Sequence, residues 1–139
     1  MSKGDEQQHE VEAALSGARI VVVEDEYYLA EDLADAVKSA GAEVVGPVGS
    51  IGGAQELLEA GGFDGAILDM NLRGEFSFAL AMQLQAAGVP FVIVSGYSGG
   101  AFPPELIDVP RLEKPTNPAN AVDALAEVIT GRRQEGRAV

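Results

Sequence analysis

Cysteine is absent from the 139 residues, so a disulfide framework, a thiolate zinc site and a cysteine nucleophile are excluded. Histidine is nearly absent: His9 stands alone in a polar N-terminal stretch, which argues against a Ser/His/Asp triad or a histidine-rich metal centre. Basic residues are scarce. Nine Lys and Arg face 22 Asp and Glu, a formal charge of −13. A surface of that sign repels a phosphate backbone, so no nucleic-acid partner is expected. No apolar run reaches the length of a membrane span and the N-terminus lacks a signal-peptide pattern, so no membrane partner and a cytoplasmic location are expected. An acidic surplus either solvates the surface or attracts a divalent cation or a basic partner.

What is present is enough apolar sequence, 47%, to bury a core in one domain of this length. Residues 1–17 read as an acidic tail, with a helical turn or two over 11–15 packing on the domain, and 132–139 as a C-terminal tail. Between them, strands and helices alternate. The first strand is 20–23, and its helix carries Leu29, Leu33, Val37 and Ala40 on one face before Gly41. The second strand, 43–48, contains Gly46-Pro47 and suits an edge. Ser50 caps a helix with Ile51, Ala54, Leu57 and Leu58 inward, ended by Gly61-Gly62. The third strand is 65–69, followed by a helix over 77–87 with Leu80 and Leu84 inward. The fourth strand is 91–94. A breaker-rich stretch follows, so the fourth helix, about 104–108, is expected to be short or poorly ordered. The fifth strand is 109–113. The last helix starts at Asn117-Pro118, turns Val122, Leu125, Val128 and Ile129 inward, and ends at Gly131.

Five strand–helix repeats predict an α/β fold with a parallel sheet and helices on both faces. The flavodoxin-like order 2-1-3-4-5 places the first and third strands side by side. Glu24-Asp25, Asp69, Ser95 and Lys114 then meet at the carboxyl edge, where open α/β sheets bind ligands. Each has a bland reading: Asp69 as a turn after a strand, Ser95 as a turn residue before Gly96, Lys114 as a surface lysine. Their joint placement at successive strand ends points to a site. Three clustered carboxylates repel one another, and a hard cation such as Mg²⁺ relieves that. Asp25, Asp69 and the backbone carbonyl of Asn71 can ligate it, while Glu24 orients a bound water. Asp69 is then a candidate phosphoryl acceptor. Lys114 offers a mobile positive charge and Ser95 a hydroxyl to the phosphoryl oxygens.

Val23-Glu24-Asp25-Glu26, Leu68-Asp69-Met70-Asn71-Leu72, Ser95-Gly96 and Lys114-Pro115 together resemble the receiver domains of two-component response regulators, over about 18–131. The resemblance implies Asp69 as phosphoacceptor, Glu24 and Asp25 as the acidic pair, Ser95 as the switch hydroxyl and Lys114 as the family lysine. Pro90 to Tyr97 further resembles a subgroup of single-domain receivers named for a Phe-Ala-Thr-Gly-Tyr-like segment, with Ile93-Val94-Ser95 in place of Phe-Ala-Thr. Receivers usually carry an aromatic switch residue three positions before the lysine, and that position is Arg111 here. Tyr97 becomes the candidate reporter side chain, in a signalling segment over 96–110.

The implied function is a stand-alone phosphoreceiver in a phosphorelay, not a conventional enzyme. It would take a phosphoryl group from a histidine kinase or histidine phosphotransfer protein, with Mg²⁺. It would then contact a downstream protein or act as a phosphate sink. Two rivals remain. An aspartyl-nucleophile phosphatase typically needs an acid two residues after the nucleophile, where Asn71 stands. A pseudo-receiver would bind without being phosphorylated.

Overall fold

The computed structural model describes residues 3–96 and 102–137. A five-stranded parallel sheet is formed by β1 (Arg19–Val23), β2 (Glu43–Val48), β3 (Gly65–Asp69), β6 (Phe91–Ser95) and β7 (Arg111–Glu113), in the order β2-β1-β3-β6-β7. Counted along these strands alone, the order is the expected 2-1-3-4-5. The intervening β4 (Asn71–Leu72) and β5 (Glu75–Phe76) form a separate antiparallel hairpin. The helices are α1 (Lys3–Leu15), α2 (Tyr27–Ser39), α3 (Ile51–Ala60), α4 (Phe78–Ala86), a 3-10 turn at Pro104–Leu106, and α5 (Pro118–Arg137).

The three central strands are apolar along nearly their whole length because both of their faces are covered. Every residue of β3 and β6 is buried. Alternate side chains feed two cores. Ile20, Val22, Ile67, Val92 and Val94 point to the side of α1, α2 and α5. Val21, Val23, Ala66, Leu68, Phe91 and Ile93 point to the side of α3, α4 and the 3-10 turn. On α2, Ala30, Leu33, Ala34 and Val37 are buried, the i, i+3, i+4, i+7 stripe of a helix lying on a sheet.

β2 is the edge strand that its proline suggests. Gly46 there has φ +97, and a Cβ would fall 3.0 Å from the Val48 amide nitrogen and 3.1 Å from the Val22 carbonyl oxygen. Glycine is required by both conformation and space, and the pairing with β1 is irregular at this point.

Several boundaries differ from those read in the sequence. The segment expected to carry a helical turn or two is a 13-residue helix. Val11, Ala14 and Leu15 are buried against α5, and Gln7 Nε2 donates to Asp123 Oδ2 at 3.3 Å. Only three apolar positions anchor it, too few for a clear periodic signal. Helix α5 passes through Gly131 and runs to Arg137, since one glycine costs a helix only about 1 kcal/mol. Its start is as expected, with Asn117 Oδ1 accepting from the Ala119 amide at 3.0 Å. The last strand is three residues, beginning at Arg111 rather than 109. The fourth helix is indeed short, a single 3-10 turn pinned by buried Leu106. Among the described residues no helix is long and apolar enough to cross a membrane.

Candidate functional site

Strand register builds the site. Val23 lies beside Leu68, Asp69 beside Val94, and Ser95 beside Glu113. Glu24, Asp69, Ser95 and Lys114 therefore stand in a row at the carboxyl edge, around the point where the chain's strand order reverses. Glu24, Asp69 and Ser95 are buried, at 3%, 2% and 5% exposure. Gly49 packs the end of β2 against this edge: a Cβ there would lie 3.2 Å from Asp25 Cα.

Lys114 is the centre of the cluster. Its Nζ lies 3.0 Å from Glu24 Oε1 and 3.1 Å from Asp69 Oδ2. It donates to Glu24 Oε2 at 3.2 Å, and exposed Glu26 Oε2 is 3.5 Å away. The Lys114 amide donates to the Ser95 carbonyl at 2.9 Å, which fixes the lysine relative to the end of β6. Backbone amides hold the carboxylates. Glu26 N–H donates to Glu24 Oε2 at 2.9 Å, Asn71 N–H to Asp69 Oδ1 at 3.0 Å, and Arg73 N–H to Asp25 Oδ2 at 2.9 Å.

The electrostatics follow. Burial, aided by Asp69 beside it, pushes the Glu24 carboxyl up to about 8 against the lowering effect of the Glu26 amide and Lys114. Burial also raises Asp69, against its bonds with Glu24, Asn71 and Lys114. For Asp25 burial works the same way but is outweighed, chiefly by the Arg73 amide, and its carboxyl is held low. Burial would lower Lys114, yet its bonds to Glu24 and Asp69 hold it above its ordinary value.

Glu24, Asp25 and Asp69 offer oxygens within 4.8 Å of one another. Glu24 Oε1 is buried and, although close to the ammonium, has no hydrogen-bond partner. Fully ionised, the three carboxylates and one ammonium leave two negative charges over, which one divalent cation cancels. An all-oxygen donor set suits a hard cation of the Mg²⁺ or Ca²⁺ kind.

Glu24, Asp25, Asp69 and Lys114 thus come together, with Ser95 at the neighbouring strand end. Asn71 is adjacent, and its side-chain Oδ1 accepts from the Gly74 amide at 2.9 Å, shaping the hairpin. Arg111 is not in the cluster: its guanidinium lies 4.4 Å from the centroid of the Phe102 ring. Tyr97 lies outside the described residues. Sequence reasoning missed Ser77. It stands at the start of a helix, but its fully buried hydroxyl donates to the Asp69 carbonyl at 2.6 Å, and its amide donates to the Met70 carbonyl. Serine at a helix start gives no hint of this use. The Arg73 amide was missed too, because a backbone donor leaves no mark on residue type.

Among solved structures, SdrG from Sphingomonas melonis Fr1 is 40% identical, over 81% of this chain and 97% of that one, with a TM-score of 0.67. A CheY-like response regulator receiver domain from Methylobacillus flagellatus is 28% identical, over 82% and 99%, at 0.66. The chain belongs to the response-regulator receiver family. Receivers are signalling modules of two-component systems rather than conventional enzymes. A response regulator from Burkholderia pseudomallei, 20% identical over 86% of this receiver and 72% of that chain at a TM-score of 0.69, shares the fold. No family model matches the receiver, and no curated protein sequence does.

Proposed function

We propose that this receiver is a stand-alone phosphoreceiver, with 18–131 as the working module and Asp69 as the acceptor. The observation that carries the reading is the Asp69 carboxylate: buried at a strand end, 3.1 Å from the Lys114 ammonium, and grouped with two more carboxylates. An Asp69 oxygen attacks the phosphorus of a phosphohistidine on a kinase or histidine phosphotransfer protein. The P–O bond forms as the P–N bond breaks, and the electron pair returns to the imidazole nitrogen, which takes a proton. Lys114 and the Ser95 hydroxyl receive the phosphoryl oxygens. Asp25, Asp69 and the Asn71 carbonyl would hold Mg²⁺, and Glu24 would orient a water beside it. When bound, the cation supplies neutralisation of charge on the phosphoryl group. The Burkholderia pseudomallei neighbour is described with a phosphorylated aspartic acid and a calcium ion, which supports both parts of the reading. A cytoplasmic location, and output by contact with a downstream protein or by acting as a phosphate sink, complete it.

The test is intact mass after incubation with acetyl phosphate and Mg²⁺. The wild type gains one phosphoryl group and Asp69→Asn gains none; equal gain in both, or none in either, removes Asp69 as acceptor. Mg²⁺ alone should also stabilise the fold, by about 2.7 kcal/mol at one hundred times its dissociation constant. Asp25→Asn should lose most of that shift in a thermal melt.

A further inference from the structure

The hairpin that follows Asp69 is tied to the acidic site at one end and to a ring stack at the other. Its turn, Arg73-Gly74, has φ of 54 and 87, the conformation of a tight two-residue connection. Within it, the Asn71 and Arg73 amides donate to the carboxylates of Asp69 and Asp25. Asn71 pairs across the hairpin with Phe76. The Phe76 ring stacks on Phe78 at 5.4 Å with an interplanar angle of 5°. Phe78 meets Phe102 edge-on at 6.1 Å and 85°. Phe102 lies under the Arg111 guanidinium, 4.4 Å from its ring centroid. These contacts run without a gap from the acceptor to the outer strand of the sheet.

We propose that this strip, Phe76–Phe78–Phe102–Arg111, carries the state of Asp69 to β7. The inference rests on the reading of Asp69 as phosphoacceptor. The physical cause lies at the Asn71 amide. In the free carboxylate, Oδ1 accepts that N–H as a charged oxygen, and such a bond is about twice as strong as a neutral one. When an acyl phosphate donor transfers its phosphoryl group, the donor's P–O bond breaks and its carboxylate leaves with the electron pair. One Asp69 oxygen becomes the P–O–C bridge and the other an uncharged carbonyl, the negative charge now residing on the phosphoryl oxygens. The hairpin loses a charge-assisted anchor, and Lys114 is drawn from Asp69 Oδ2 toward the phosphoryl group. Phe76, opposite Asn71, shifts on Phe78. Ring pairs and cation–π contacts hold at defined offsets, so the displacement is passed along the strip as repacking. Contiguity alone does not demonstrate coupling, so the strip must be cut and the response read at its far end.

The experiment uses the full chain, ¹⁵N-labelled, with intact mass followed in parallel. The Arg111 Nε–Hε resonance and the backbone amides of 111–113 are recorded before and after acetyl phosphate with Mg²⁺. In the wild type these resonances shift as the mass rises. In Phe78→Leu the mass still rises and the Asn71 amide still responds, but the Arg111 response falls at least threefold. Phe102→Leu, which removes the ring nearest Arg111, gives the same loss at 111–113 and serves should Phe78→Leu not fold. An Arg111 response of wild-type size in either folded variant overturns the proposal, as does a phosphorylated wild type in which Arg111 does not move. No mass gain in the wild type is a different failure: the phosphoacceptor reading falls, and the proposal with it.

Discussion

On one face of the sheet α1, α2 and α5 contribute 13, 13 and 20 residues of helix. On the other, α3 and α4 contribute 10 and 9, followed by a three-residue 3-10 turn. The first face closes over Leu15, Ile20, Leu33, Ile67 and Leu125, all fully buried. The second is also apolar where it meets the sheet; large apolar side chains are exposed on both faces, Tyr27 and Tyr28 on α2 and Phe76 and Ile107 on the other side, so what separates the faces is helix length. Short elements with few buried apolar contacts are where low local stability is found, and moving parts of proteins are drawn from that end of the range. The long-helix face reads as the foundation, and the short-helix face, which holds the hairpin and the ring strip, as the part able to respond.

The sharpest test of this contrast is Leu15→Ala. If α1 belongs to the foundation, removing a fully buried leucine should cost about 2–5 kcal/mol in urea unfolding. Phe76→Ala on the other face, losing one stacked ring partner, should cost about 1 kcal/mol. A Leu15→Ala cost below about 0.5 kcal/mol would make α1 an appendage and leave the two faces alike.

The same contrast explains what could be read in advance. The central strands were legible because burial on both sides leaves continuous apolar runs such as Ile20 to Val23 and Phe91 to Val94. Crossover handedness left few sheet orders, and the acids at the strand ends favoured the one that brings them to a single edge. The hairpin was not legible, since two-residue strands are shorter than any periodic signal. Helix α1 was blurred because exposed polar residues dominate it and only its last turns are anchored. The strip was hidden for a different reason: Phe76, Phe78, Phe102 and Arg111 are joined by the fold alone.

The acidic site lies between the faces, and its pH dependence can be separated from both. In the folded, metal-free protein Glu24 titrates near 8, against 4.5 for an unperturbed group, and Asp69 is shifted in the same direction. A carboxyl raised by folding binds more protons in the native state than in the unfolded one. Its stabilising contribution is complete below about 4.5 and is lost as pH rises through about 8. Burial disfavours the charged form of Glu24, and one proton on it leaves Asp69 and the half-buried Lys114 as a neutral pair. Metal-free melting temperature should therefore decline from pH 5 to pH 8. Glu24→Gln, which carries no titrating charge, should flatten the decline, and Mg²⁺, which needs ionised carboxylates, should oppose it. A Glu24→Gln profile as steep as the wild type would show that the slope comes from elsewhere.

The smallest expected effect concerns how the helices of the two faces begin. On the long-helix face α2 starts at Glu26, whose side chain makes no capping bond. That helix is held instead by four buried residues, Ala30, Leu33, Ala34 and Val37, along its length. On the short-helix face α3 has one fully buried residue, Ala54, and carries Gly52 and Gly53 in its first turn. Each glycine costs a helix interior about 1 kcal/mol relative to alanine, so packing and propensity together leave α3 marginal. Its start is secured by Ser50, whose Oγ accepts from the Gly53 amide at 3.0 Å. Ser50→Ala should therefore cost about 1 kcal/mol. The loss should concentrate in α3, seen as faster amide exchange over 51–60 with little change over 27–39. Uniform acceleration through both helices would mean that the faces unfold together, and the division between foundation and responsive face would have to be given up.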